Sequence, residues 1–412
     1  MSRVTLMVAV LLCAGVAACG GEDECAPGAI CTIAGNGQAG YGGDGADARD
    51  AALYLPIDQA VSPDGELWII DFNNYRVRAV DDGGTIRTVL GSGELGDSPA
   101  QDGEATVPAL EAALNHMTDL LFDGRYLYVA AWHNSRVKRL DLDTMRLEDY
   151  AGRGVRTGYD GDGGPALDAA FDLPVALAID ANGDLLVMDQ ANQVIRAVDG
   201  EGVIRRVAGQ CVVESESEGG CGDAPPLACP GSDKLICGLV NECAYPCTPS
   251  FAGDGGDALE MRMGQPFGQA VGPSGHMTHD ADGGLLFADT NNHRIRRIAA
   301  DGIVSTVAGT GARGFAGDGG DARQAQLDSP TDLEVAEDGS IYIADTFNHC
   351  VRAIDPAGVI TTMAGRCGDP GFSGDGGAAT DATLKLPSGL ELAGDRLYIA
   401  DTGNHRVRAV VR

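Results

Sequence analysis

Four side chains in this chain have the types and placement to do chemistry: Asp58, Asp119, His276 and Asp332. Each opens an alternating apolar run that ends in a Gly turn, and the two remaining runs of this kind carry Ala176 and Gly389 at the same place. Three carboxylates and one imidazole converging on a point would bind a divalent cation, because that donor mixture suits Zn²⁺ and its neighbours. The run "GHMTHDADGG" (275–284) departs most from its sister copies, with His276 beside the acids and His279 where the next copy has Val335. The plainer alternative is that these aspartates cap strand entrances and the histidines are drift in one copy.

A second acidic set recurs in "YDGDGGPA" (159–166), "FAGDGGDA" (251–258 and 315–322) and "FSGDGGAA" (372–379), with weaker forms at 41–48 and 101–106. It would make a ring of Asp44, Asp102, Asp162, Asp254, Asp318 and Asp375. Calcium takes oxygen ligands, but each loop supplies one carboxylate regularly, without D-x-D-x-D-G spacing. These aspartates are expected in Asx-type turns, bonding nearby backbone N–H groups, with glycine at φ > 0. His293, His349 and His405 read as hydrogen-bonding turn residues. The arginine pairs Arg76/Arg78 and Arg406/Arg408 share one strand face and are expected to pair with the repeated aspartates.

Convergence of residues so far apart requires a repeating scaffold. "D-x-x-N-H-R-V-R" recurs, its Asn at 74, 134, 192, 292, 348 and 404, at intervals of 60, 58, 100, 56 and 56 residues. Its Asp stands at 71, 189, 289, 345 and 401, with Ala131 as the exception. Within the fifth unit, "TDLEVAED", "GSIYIAD", "CVRAID" and "GVITTMAG" alternate and are rich in Val, Ile and Thr, each bounded by turn residues. Four short strands repeated six times predict a radial β-propeller. The sixth unit, ending "DTGNHRVRAVVR", lacks a fourth strand, while an orphan "GAICTIAGNG" (28–37) matches "GVITTMAGRC" (358–367). An open solenoid would leave both ends unpaired. The expectation is all-β and six-bladed, with strand 28–35 completing the last blade and the propeller running over 28–412.

Strand d of each unit then crosses to strand a of the next, so the crossovers and the b–c turns share one face, termed the top. The first residues of the a strands lie at the top mouth of the central channel. Between units three and four the crossover is longer, 44 residues from Gly209 to Gly253 against 9 from Gly365 to Gly374. This insertion (211–250) holds Cys211, Cys221, Cys229, Cys237, Cys243 and Cys247. No C-x-x-C pair argues for zinc there, and three disulfides in any of 15 connectivities are expected. The insertion is a candidate lid or binding surface. Cys350 and Cys367 fall at the top of the fifth unit, and Cys25 with Cys31 would tie the chain start to the closing strand.

The disulfide reading agrees with the N-terminus. Arg3 followed by "VTLMVAVLLCAGVAA" (4–18) reads as a signal peptide over 1–18. "VAAC" (16–19) resembles the lipobox of bacterial lipoproteins, which implies lipid on Cys19 and a tether over 19–27. Gly20 in place of Asp implies the outer membrane of a Gram-negative envelope. A net charge of -31 argues against nucleic acid and favours cationic or neutral partners. No G-x-S-x-G elbow, P-loop, dinucleotide fingerprint or HExxH is present.

The pattern "GDGGxA…P…D…G-x-(L/I)-(Y/L)-(I/V)-A-D-T-x-N-H-R-(V/I)-R" resembles NHL-repeat proteins over residues 28–412, the insertion apart. That resemblance implies a six-bladed propeller and is silent on function, since such proteins include protein-binding modules, extracellular sensor domains and an amidating lyase. The expected role is a monomeric, membrane-tethered platform binding a protein, peptide or glycan on the top face. The alternative is a metal-dependent lyase or hydrolase acting at Asp58, Asp119, His276 and Asp332.

Overall fold

The computed structural model describes residues 25–154, 158–210, 226–228, 235–237, 249–266 and 273–412. Signal and lipidation residues 1–19 lie outside them, as do the side chains of the six insertion cysteines. Among the described residues no helix is long and apolar enough to cross a membrane.

Alternating Val, Ile and Leu build antiparallel blades ordered a–b–c–d from the axis outward, with a short fifth strand from the crossover, Thr106–Pro108 or Gly320–Asp321, outside strand d in blades two and five. In blade one these are Pro56–Val61, Leu67–Asp71, Arg76–Val80 and Ile86–Leu90. The a strands of blades two to six are Met117–Asp123, Pro174–Ile179, Met277–His279, Asp332–Val335 and Pro387–Ala393. The sixth blade takes its outer strand from the chain start: Ile30–Ala34 pairs with Arg406–Val411, setting Ile30 opposite Val410. The ring is closed by hydrogen bonds between the two ends of the chain, as the orphan strand predicts.

Each blade has two apolar faces and must bury both. The buried residues form six clusters, one at each interface between neighbouring blades. The junction of blades six and one buries Ala34, Leu53, Leu67, Ile69 and Val407, so it is packed like the rest. Small aliphatic side chains dominate these layers, as a chain with 5% aromatic residues requires.

The crossover folds over the blade it enters, as in Gly45 N–H to Ile86 O and Ala48 N–H to Gly84 O, and contains a 3-10 turn. Its carbonyl then caps the d strand of the blade left behind, as in Gly35 N–H to Ala48 O and Gly309 N–H to Ala322 O. Gly35 has φ +93, and a Cβ there would lie 2.3 Å from the His405 carbonyl oxygen. That close approach is why each d strand is followed by Gly, including Gly91 after Leu90 in blade one.

Candidate functional site

The repeated polar residues are consumed by the scaffold. Asp71, Asp189, Asp289, Asp345 and Asp401 are fully buried at the ends of the b strands. Each accepts a backbone N–H from the incoming crossover, for example Tyr54 N to Asp71 at 2.7 Å and Lys385 N to Asp401 at 2.7 Å. Each also accepts the amide of the Asn three residues on, as in Asn192 to Asp189 at 2.8 Å, and faces a buried arginine. Arg296 lies 3.3 Å from Asp289, and Arg408 lies 3.8 Å from Asp401. Burial pushes Asp71 and Asp401 up to about 6, and Asp189 and Asp345 up to about 7, against the pull of these partners.

The same arginines clasp the crossover aspartates, Arg296 to Asp254 at 2.9 Å and Arg408 to Asp375 at 2.6 Å. This corrects the Asx-turn expectation: the carboxylates reach an arginine and a threonine more than 30 residues away, as Asp318 does with Arg352 and Thr362. Asp102 is not in the ring at all and accepts from Ser98 instead. Its place is taken by Asp97, 2.8 Å from the buried Lys138 that stands where other blades have arginine. The paired arginines also differ in role. Arg78 pairs with Asp71 and Asp44, whereas Arg76 donates to the carbonyls of Asn74 and Ser92.

The turn histidines stitch blades together. Nδ1 of His293, His349 and His405 accepts the N–H of Ser329, Leu386 and Leu55 at 3.0, 3.1 and 3.1 Å. His279 is half-buried in the blade-four a strand, where burial lowers its pKa. Disulfides Cys25–Cys31 and Cys350–Cys367 are both formed. Cys350 occupies the position held by Arg76, Arg294 and Arg406 in other blades, so a covalent link replaces the arginine there.

Asp58, Asp119, His276 and Asp332 do meet, around the top mouth of the channel. Three of them are also latches between blades. Asp58 Oδ2 accepts Leu120 N at 3.2 Å, Asp119 Oδ2 accepts Leu177 N at 2.5 Å, and Asp332 Oδ2 accepts Leu390 N at 2.6 Å. The strand-capping alternative was thus partly right, except that each cap lies on the next blade. Gly389 lacks a carboxylate because blade six comes too close: a Cβ there would sit 2.5 Å from Ile57 O.

Oδ1 of Asp119 and Oδ1 of Asp332, the latter also accepting Leu333 N at 2.6 Å, face His276, whose side chain is 18% exposed. Its Nδ1 lies 2.5 Å from Asp332 Oδ1 and its Nε2 lies 3.8 Å from Asp119 Oδ1. Burial works to lower His276, but Asp332 and Asp119 outweigh it and hold the imidazole well above its ordinary value. Burial and the charges of Asp119 and Asp332 push Asp58 well above the carboxylate range, with His276 pulling the other way.

Two channel acids were missed in the sequence. Glu334 and Glu391 follow Asp332 and Gly389 by two residues, so the period of a strand places them on the same inward face. Burial and Glu391 push Glu334 well above its usual value, and burial pushes Glu391 up to about 7. Glu391 also accepts Val61 N at 2.8 Å across the closing junction.

The cavity at the mouth is about 30 Å³ and is lined by Asp58, Thr118, Ser274, His276, Thr331 and Asp332, among others. That is room for a water or an ion. A far larger concavity, about 1060 Å³, lies on the opposite face between blades one and two, lined by Trp68, Leu110 and Met145. It is an open groove remote from the titrating cluster, and its Arg87 is paired with Glu66 at 2.6 Å.

The top face itself is uneven. In blades four to six Thr290, Thr346 and Thr402 begin the b–c turn, and Thr290 and Thr402 donate to the next blade's carbonyls of Pro330 and Pro56. In blades one and two the equivalent residues are Phe72 and Trp132. They pack with His116 and His133, Phe72 on His116 at 4.5 Å and Trp132 stacked on His133 at 4.1 Å. Trp132 is buried at 1% exposure, whereas Tyr54, in the crossover entering blade one, is 38% exposed and Phe347, in the b–c turn of blade five, is 53% exposed.

Comparison with known proteins agrees with this architecture. Residues 311–370 match the Teneurin NHL domain. Teneurin-1 of Homo sapiens is 28% identical over 407 residues, covering 94% of this chain and 13% of that protein. Teneurin-m of Drosophila melanogaster is 26% identical over 389 residues, covering 88% of this chain and 12% of that one. The chain thus spans about 13% of the length of the curated relatives it matches. Among solved structures, a protein of unknown function from Bacteroides thetaiotaomicron superposes with a TM-score of 0.61 at 16% identity, over 93% of this chain and 75% of that one. An auxiliary nutrient binding protein from the same organism gives 0.58 at 14% identity, over 92% and 75%.

Proposed function

We propose that this six-bladed NHL-repeat propeller is a binding platform that takes a protein, peptide or glycan on its top face. The observation that carries the reading is the aromatic arc of Tyr54, Phe72 and Tyr75 on blade one of that face, partly exposed beside the buried Trp132, in a chain with 5% aromatic residues. The scaffold's charged repeats are internally paired, so departures from the repeat are what remain to face a partner. Aromatic side chains at the centre of a contact supply most of its energy. The net charge of -31 favours a cationic or neutral partner. The auxiliary nutrient binding protein shares the fold, which is compatible with a binding role and names no ligand for this chain.

A metal-dependent lyase or hydrolase centred on the mouth is the weaker reading, because about 30 Å³ admits no organic substrate. In the same proposal the protein is a monomer held at the outer membrane by lipid on Cys19, with no nucleic-acid partner. Palmitate labelling that persists in Cys19→Ser would remove the anchor from the scheme.

Trp68 and Trp132 are the only two tryptophans, so Trp68→Phe leaves Trp132 as the single reporter. Titrating that variant with lysine-rich peptides and with peptidoglycan oligosaccharides should perturb its emission for one class. Tyr54→Ala and Tyr75→Ala should abolish the change. Binding that both substitutions leave intact would move the platform to another face.

A further inference from the structure

The axial cavity contains a donor set that the ring's own hydrogen bonds leave incomplete. Asp58, His276 and Asp332 each offer one ligand atom, and these atoms lie within 4.8 Å of one another. His276 Nδ1, although 2.5 Å from Asp332 Oδ1, is out of line for a hydrogen bond and has no aligned partner. Ser274 lines the same cavity, is 5% exposed, and its Oγ has no hydrogen-bond partner among the described residues. Ser274 Oγ is therefore a buried polar atom lining a space of about 30 Å³ with no protein partner among the described residues, and His276 Nδ1 beside it is met by the Asp332 carboxylate alone.

The other imidazole nitrogen completes the pattern. His276 Nε2 faces Asp119 Oδ1 at 3.8 Å. A metal-bound imidazole commonly directs its second N–H at a carboxylate, which fixes the ring's orientation and strengthens it as a ligand.

We infer that the channel mouth binds one divalent cation of the Zn²⁺ class through Asp58, Asp332 and His276 Nδ1, with Ser274 Oγ facing the ion and Asp119 positioning the imidazole. A mixed nitrogen and oxygen set favours Zn²⁺ and its transition-metal neighbours over Ca²⁺, which prefers six or more oxygens. The three ligands come from blades one, four and five, so the ion staples blades that are not all adjacent in the ring. The cavity leaves no space beside the ion for an organic substrate, which makes the role structural. This inference is independent of the partner proposed for the aromatic arc.

The test uses the full-length protein, stripped with a chelator and titrated calorimetrically with Zn²⁺, Mn²⁺ and Ca²⁺, with circular dichroism to verify folding. Wild type should bind one equivalent of Zn²⁺, prefer it to Ca²⁺, and gain thermal stability on binding. His276→Ala should bind none. Asp119→Asn keeps an acceptor for the Leu177 amide and should weaken binding by about 10–100-fold with its fold unchanged. Co²⁺ in place of Zn²⁺ should give visible absorption bands in wild type.

Undiminished binding in folded His276→Ala would place the ion elsewhere and overturn the inference. Failure of wild type to bind Zn²⁺, or a preference for Ca²⁺, would overturn it equally. If His276→Ala does not fold, full affinity in Asp119→Asn together with a colourless Co²⁺ complex would do the same.

Discussion

The amide of Leu177 in blade three donates to Oδ2 of Asp119 in blade two at 2.5 Å, across 58 residues of sequence. The bond holds the innermost strands of two blades in register where backbone pairing cannot, because adjacent blades are separate sheets. Asp119→Ala should cost about 1–3 kcal/mol, the penalty for leaving a buried N–H without an acceptor. Asp119→Asn, which retains an acceptor oxygen, should cost less. Equal losses in urea denaturation would mean that the charge, and not the acceptor, is what matters.

Arg408 is fully buried between Asp375 at 2.6 Å and Asp401 at 3.8 Å. Its removal strands two carboxylates, one of them fully buried. Arg408→Ala should therefore destabilise by about 3–5 kcal/mol, measured by chemical denaturation. A loss near that of an exposed ion pair, below about 1 kcal/mol, would show that water relieves the site.

The Cys350–Cys367 link closes a loop of sequence separation 17. Replacing both cysteines by serine should lower stability by about 3 kcal/mol, the chain-entropy expectation for a loop near this length. Equal denaturation midpoints for the variant and the oxidised protein would contradict that.

The turn histidines make stability depend on pH. His349 and His405 accept N–H groups at Nδ1, and burial lowers both below their ordinary value of 6.5. Their folded-state values lie below the unfolded one. Their contribution is accordingly complete above the unfolded value and is lost as pH falls through the folded value. The buried carboxylates with raised values, such as Asp345 at about 7, act in the opposite sense. The difference between wild type and His349→Ala isolates the histidine: it should be largest near neutral pH and shrink on acidification. A pH-independent difference would assign the role to packing alone.

The ring and its closure were legible in the sequence because both rest on local, periodic signals. Alternation marks strands, Gly, Asp and Pro mark turns, and "GAICTIAGNG" repeats a strand that the last unit lacks. The four axial residues were also legible, since each interrupts an otherwise regular register. Glu334 and Glu391 were legible in principle at two residues beyond Asp332 and Gly389, but nothing local separates an inward glutamate from an exposed one. The Asp102 assignment failed for a similar reason. A motif match cannot say that Asp97 reaches Lys138, because that pairing depends on how the crossover folds over its blade.

By itself the sequence determined the number of blades, their strands and how the ring shuts, because each follows from spacing along the chain. Only the tertiary structure decided which carboxylates pair with the buried arginines and which gather at the channel mouth. That distinction depends on distances between blades about 60 residues apart, where Leu390 meets Asp332 and Asp332 in turn meets His276. Burial and the neighbouring carboxylates then act together on His276, and both are properties of the closed ring and of no segment within it.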